Sequence, residues 1–117
     1  MTAPAFIAES FAVRTSAHLL HLASTSYAQH IALNEFYDGL LPLVDRFAEV
    51  FQGVKGRIKT YPEVSPPVDE NPISLLDDYL ECITEEFAAH KSQALLNILA
   101  EIEELTAQTL YKLKFLS

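Results

Sequence analysis

The sequence predicts an all-α fold, a four-helix bundle, and three observations carry that prediction. Apolar residues recur at alternating steps of three and four over several long stretches, which is the period of one helix face. Only three glycines occur among 117 residues, and half of the chain is hydrophobic, a composition that suits a compact helical domain and not a disordered chain. No segment offers the competing alternation of a strand. At this length the chain forms one domain, residues 1–117, around a single core.

Residues 1–5 read as a short disordered start. A first helix is expected from about Ala5 to Ala23, with Phe11, Thr15, Leu19 and Leu22 as its apolar face. Ser24, Thr25 and Ser26 break it, and hydroxyl residues are good caps for the start of the next helix. The second helix is expected from about Tyr27 to Gln52, where His30, Leu33, Tyr37, Leu40, Val44, Phe47 and Phe51 form a continuous stripe. Pro42 lies inside it and should kink it or remove one hydrogen bond around Asp38. Gly53 is the expected stop.

Residues 53–72 read as a loop, punctuated by Gly53, Gly56, Pro62, Pro66, Pro67 and Pro72. Its length suits a return run along a bundle. The third helix is expected to start near Pro72, with Asn71 as its cap and Ile73, Leu76, Leu80, Ile83 and Phe87 as its stripe. Asp77, Asp78, Glu81, Glu85 and Glu86 fall on its outer face. A break at His90-Lys91-Ser92 leads to a fourth helix, about Gln93 to Phe115, with Leu95, Leu99, Ile102, Leu105, Leu113 and Leu116 facing the core. Short first and last turns around one long B–C crossover place the second and third helices parallel, the ferritin-like form of the bundle.

The balance of 8 basic to 16 acidic residues gives a net charge of −8. Such a surface repels DNA phosphates and anionic membranes and tolerates cations. Lys55, Arg57 and Lys59, and Lys112 and Lys114, are small basic clusters of the kind common on surfaces. The single cysteine, Cys82, excludes an internal disulfide and favours a reducing, cytoplasmic setting. No signal-peptide pattern opens the chain, and no run approaches the roughly eighteen apolar residues of a membrane span.

Four polar residues carry the candidate chemistry: His18, His30, Asp45 and Glu49, at steps of twelve, fifteen and four. His, Asp and Glu form a standard donor set for iron, manganese or zinc. Asp45 and Glu49 share a helix face at i and i+4. On one straight helix His30 and Asp45 lie roughly 22 Å apart, so one chain cannot bring them to one ion. His18 and His30 are equidistant from Ser24, and a turn there makes them face each other. An antiparallel two-fold pairing of the second helix then carries the His pair of one chain to the carboxylates of its neighbour, giving two identical sites per dimer. His21 and His90 receive no primary role in this arrangement.

The segment from His18 to Glu49, HLLHLASTSYAQHIALNEFYDGLLPLVDRFAE, resembles the core of the Dps miniferritins, ferritin-like proteins that protect DNA in starved bacteria. In that family a His near the end of the first helix is followed by a second His twelve residues on, an Asp fifteen further and a Glu four beyond, in a D-x-x-A-E context. Asp45-Arg46-Phe47-Ala48-Glu49 keeps that form, and Tyr37-Asp38 fits a common family pattern. The resemblance implies an intersubunit ferroxidase site holding iron, with His18 and His30 from one subunit and Asp45 and Glu49 from another. Leu19, Ile31 and Asn34 stand where the family usually has Trp, Glu and an acidic ligand, which implies weak hold on a second iron. The basic DNA-binding tail of some members is absent, since Met1 to Ser10 contains no Lys or Arg. The start of the third helix, Asn71-Pro72-Ile73-Ser74, and the Tyr111-Lys112-Leu113-Lys114 ending also resemble small bacteriophage proteins.

The expected function is therefore iron binding by a homo-oligomer, at least a two-fold dimer, with manganese or zinc within the same donor chemistry and ferroxidase activity as its extension. The alternative is a non-enzymatic helical bundle of phage or bacterial origin that keeps the Dps-like shape and binds a protein partner through its acidic face or Pro-rich loop. Sequence-specific DNA binding conflicts with the charge and lacks a recognition motif.

Overall fold

In the computed structural model, which describes residues 1–66 and 71–117, each of four helices begins where a short polar side chain takes up free backbone N–H groups. The Thr2 hydroxyl accepts from the Ala5 N–H at 3.3 Å and starts α1 (Ala3–Ala23), with Pro4 in the first turn. Ser26 accepts from the Gln29 N–H at 3.2 Å and starts α2 (Tyr27–Lys55). Asn71 Oδ1 accepts from Ile73 and Ser74 and starts α3 (Pro72–Ala88), with Pro72 at a position where its missing N–H costs nothing. Ser92 caps α4 (Gln93–Phe115). Each such cap contributes about 1 kcal/mol. No strand occurs among the described residues.

Two boundaries differ from those the sequence suggests. Residues 3 and 4 already belong to α1. In α2, Gly53 takes helical angles and does not end the helix. The stop is Gly56, whose φ of +104° lies in the region that side chains avoid, and whose N–H reaches the Gln52 carbonyl at 2.9 Å. Beyond it the Ile58 N–H donates to Gln52 Oε1, folding the next segment back onto the helix end. α2 also continues unbroken through Pro42. Asp38 and Pro42 are both exposed, so water can take the carbonyl that the proline leaves free. Pro67, part of the expected loop, lies outside the described residues.

The long axis of the molecule, 44 Å, matches the length of about 44 Å that 29 helical residues give α2 at 1.5 Å each. The backbones pair as α1 with α2, α2 with α4, α4 with α3, and α3 with α1. α2 runs antiparallel to both α1 and α4. Phe6 meets Phe47 and His21 meets His30 between α1 and α2. Glu35 meets Lys112 and Arg46 meets Glu101 between α2 and α4.

The α2 stripe faces inward as expected, with Leu33, Tyr37, Leu40, Val44 and Phe47 buried. The expected face of α1 does not. Phe11, Leu19 and Leu22 are exposed and Thr15 is only half-buried, while Ala3, Phe6, Ile7, Ser10, Val13 and Ala17 turn to the core. The reason is local fit. Ser10 stands where the Tyr79 ring enters from α3, and its hydroxyl accepts from the phenol at 2.7 Å while donating to the Phe6 carbonyl at 2.8 Å. The stripe of α3 is rotated in the same way: Leu75, Leu76, Tyr79, Ile83 and Glu86 are buried, and Ile73, Leu80 and Phe87 are only half-buried. Glu86, expected outside, is thus a core residue. In α4, Leu95, Leu99 and Ile102 are buried and Leu105 and Leu113 half-buried, whereas Leu116 lies beyond the helix end, exposed. Phe6 is the hub: it meets Phe47 edge-on at 5.4 Å and stacks on Tyr79 at 6.1 Å, and truncating such a residue to alanine costs about 3–5 kcal/mol.

Candidate metal-ligating site

The α1–α2 turn gathers three of the four histidines, His18, His21 and His30. Ser24 Oγ accepts from the Ser26 N–H at 3.1 Å, closing a tight polar corner that returns α2 along α1. Across that corner His21 and His30 stack with ring centroids 3.6 Å apart and planes 17° from parallel. His21 Nδ1 lies 2.6 Å from the carbonyl oxygen of His30, and His30 Nδ1 lies 2.8 Å from the carbonyl oxygen of His21. A carbonyl only accepts, so each Nδ1 carries hydrogen and donates. In the neutral rings the lone pair therefore sits on Nε2, the state of an imidazole ready to ligate a metal.

His18, expected to face His30, does something else. Its ring stacks on Tyr37 at 4.1 Å and lies 5.9 Å from His21. The residue opposite His30 is His21. The guanidinium of Arg14 sits 5.7 Å from the Tyr37 ring centre, and its Nε is buried without a partner among the described residues. Tyr37 in turn donates to Asn34 Oδ1 at 2.9 Å, and Asn34 Nδ2 donates to Asp38 at 2.9 Å. Asn34 is thereby occupied within its own helix.

Asp45 and Glu49 lie on the distal half of α2, Asp45 exposed and Glu49 on the same side one turn on. Among the described residues neither makes a side-chain hydrogen bond or ion pair within the chain, and no group of three or more His, Cys, Asp or Glu converges on a common ion position. The four candidates thus do not converge in one chain: Asp45 and Glu49 share one side of α2, while the His18 ring stacks on Tyr37 and the His30 ring on His21.

A second polar cluster is absent from the sequence-based expectations. Glu86 and His90, one turn apart at the end of α3, are 2.7 Å apart and buried. His90 Nε2 bonds Glu86 Oε2, leaving Glu86 Oε1 and His90 Nδ1 without partners among the described residues. The His90 ring presents an edge to Phe47 at 5.6 Å and to Phe51 at 5.9 Å. The i, i+4 spacing was a visible signal, but the register of α3 that buries both was not.

Residues 21–113 match a family of unknown function, DUF5856. The chain belongs to that family. The match includes His21, His30, Asp45, Glu49, Glu86 and His90 and begins three residues after His18. No curated protein and no solved structure matches the chain. Among the described residues no helix is long and apolar enough to cross a membrane.

Proposed function

We propose that this DUF5856 chain is a ferritin-like, Dps-like bundle that binds a divalent metal, iron in the first instance, at a site shared between two copies. The single observation that carries the reading is the pairing of donor chemistries along α2. At one end His30 offers an Nε2 lone pair beside His21, with the His18 ring 5.9 Å from His21, and about four turns away Asp45 and Glu49 offer carboxylates that have no partner within the chain among the described residues. Neutral imidazole and carboxylate oxygen together fit a divalent cation and offset its charge. The two pairs lie roughly 22 Å apart along one helix, so one ion draws on both only when an antiparallel two-fold pairing of α2 superimposes the ends.

The helix arrangement supports the ferritin-like form. Phe36 of α2 meets Tyr79 of α3, and eleven residues further on Phe47 meets His90, also eleven further. Contacts that advance in step favour a parallel α2 and α3 joined by a long crossover. Iron, if bound, would be held by His18, His30, Asp45 and Glu49 and would supply the electrons passed to oxygen or peroxide.

The test is metal content, Fe(II) oxidation and solution mass of the full chain, with His30→Ala and Glu49→Ala alongside. The expected result is a dimer or larger assembly that binds iron and loses it with either substitution. A wild type that binds no metal, or variants that bind it equally well, ends the reading.

A second reading, a non-enzymatic interaction protein, has its own observation. A groove of about 250 Å³ runs between α2 and α4, walled by Tyr27, Ile31, Ala32 and Leu116 beside the Glu35–Lys112 ion pair, and Tyr27 and Phe115 are largely exposed. A metal-free protein that fails to oxidise iron, yet co-purifies with a host or phage protein released by Ile31→Asp, favours this reading over the first.

A further inference from the structure

We infer that His21 is a positioning residue: it and His30 lock one another in the Nδ1–H form and hold the His30 Nε2 lone pair open to solvent for a cation. The inference deepens the proposed metal site and rests on that reading only for the cation; the lock itself stands on the hydrogen bonds.

Three observations build it. The two Nδ1–H to carbonyl bonds are reciprocal, at 2.6 and 2.8 Å, so neither ring can flip or change tautomer without breaking a bond that also ties α1 to α2. His21 is buried, 7% exposed, and His30 is half-buried, so of the two rings His30 has the larger contact with solvent. The ring pair is walled by Tyr37, edge-on to His21 at 5.3 Å, and by Tyr27, 6.4 Å from His30, which restricts the directions the rings can take.

The geometry also separates support from ligand. Two rings 3.6 Å apart and 17° from parallel have lone pairs lying in two nearly parallel planes. An ion shared between them would sit roughly half the ring spacing out of each plane, whereas a metal–imidazole bond of about 2.0–2.1 Å lies along the in-plane lone pair. One ion therefore binds His30 or His21, not both in this stack. His30, the more exposed ring on α2, is the ligand, and His21 beneath it is the brace. Histidine ligands commonly depend on such a partner, and losing it costs about 10–100-fold in metal affinity.

The experiment uses the full chain labelled with nitrogen-15, held at about pH 8.5 so that ordinary imidazoles are neutral, and read by long-range proton–nitrogen correlation. Unconstrained neutral histidine favours the Nε2–H form. His21 and His30 are expected to show Nδ1–H with a bare Nε2, and His18, which makes no such bond among the described residues, serves as the internal reference. An Nε2–H pattern at either residue overturns the lock. His21→Phe keeps a ring in the stack and leaves the residue-21 carbonyl that accepts from His30 Nδ1, but it removes the reciprocal bond to the His30 carbonyl that holds the two helix ends, and so that acceptor, in register. Its expected effect is a mixed tautomer at His30 and Zn²⁺ binding weakened about 10–100-fold with helix content unchanged. A variant with an unaltered His30 spectrum and unaltered Zn²⁺ affinity overturns the positioning role. If wild type takes up no Zn²⁺, the metal reading falls, and the tautomer spectrum alone then decides the lock.

Discussion

Replacing His90 with alanine strands a buried carboxylate. The Glu86 side chain is 1% exposed and that of His90 5%, and the 2.7 Å contact between them is the only bond the carboxylate makes among the described residues. Removing the imidazole leaves both Glu86 oxygens without a partner in a region lined by Phe47 and Phe51. Breaking a buried pair from one side costs about 3–5 kcal/mol, mostly because the remaining charge is left desolvated. That is a fifth or more of the roughly 5–15 kcal/mol that holds a domain of this size folded. In urea unfolding followed by far-ultraviolet circular dichroism, with a slope near 2 kcal/mol per molar, the midpoint should fall by about 2 M. The control removes both groups together: Glu86→Leu with His90→Phe fills the space with apolar atoms and should be neutral or stabilise by about 1–4 kcal/mol. A His90→Ala protein within about 1 kcal/mol of wild type, or a double variant as unstable as the single one, would refute the reasoning that desolvation dominates here.

The packing implies three further outcomes. Burial holds the Tyr79 phenol above its ordinary value of 10.0, with the Ser10 hydrogen bond pulling the other way. The folded state then keeps a proton that the unfolded chain releases above about pH 10, so stability should be level below that and fall as pH rises beyond it, and Tyr79→Phe should flatten the fall in urea midpoints measured from about pH 8 to about pH 11. Partial burial first, and then the carboxylates of Glu9, Glu85, Asp78 and Glu81, push the Cys82 thiol up; its reaction with a disulfide reagent at about pH 8 should be slower than that of free cysteine and quicken in about 1 M salt, which screens the acidic neighbours. A methyl group at Gly53 meets nothing within 4 Å, so Gly53→Ala should stabilise by about 0.5–1 kcal/mol, whereas Gly56→Ala, at φ +104°, should lose about 1 kcal/mol, both read from thermal unfolding.

The helices were legible because their caps are local chemistry: Ser26, Asn71 and Ser92 announce α2, α3 and α4 in the sequence itself. Which face of α1 is buried was not legible. Large apolar residues lie on several sides of that helix, and the deciding positions, Ser10 and Ala17, carry no hydrophobic signal; Ser10 is inside because Tyr79, in a distant segment, needs an acceptor there. Glu86 was misplaced for the same reason, since an acidic residue in an acidic run reads as surface unless the register of α3 is known. At the candidate site, His30, Asp45 and Glu49 could be read from spacing. His21 could have been. With α1 ending at Ala23 and α2 starting at Tyr27, the corner centres on Thr25, and residues 21 and 30 are nearly equidistant from it, closer than 18 and 30. What spacing could not give is the exchange of ring N–H groups with backbone carbonyls, which depends on how far the two helix ends approach.

The hydroxyl relay from Tyr79 through Ser10 to the Phe6 carbonyl also orders the steps by which this protein can drift over generations. Ser10→Ala made first leaves a phenol inside the seam with nowhere to place its hydrogen. Tyr79→Phe made first removes that demand, after which alanine at position 10 is tolerated. Lineages that lose the relay should therefore pass through the phenylalanine form, and the two positions, 69 residues apart, should be inherited as a couple.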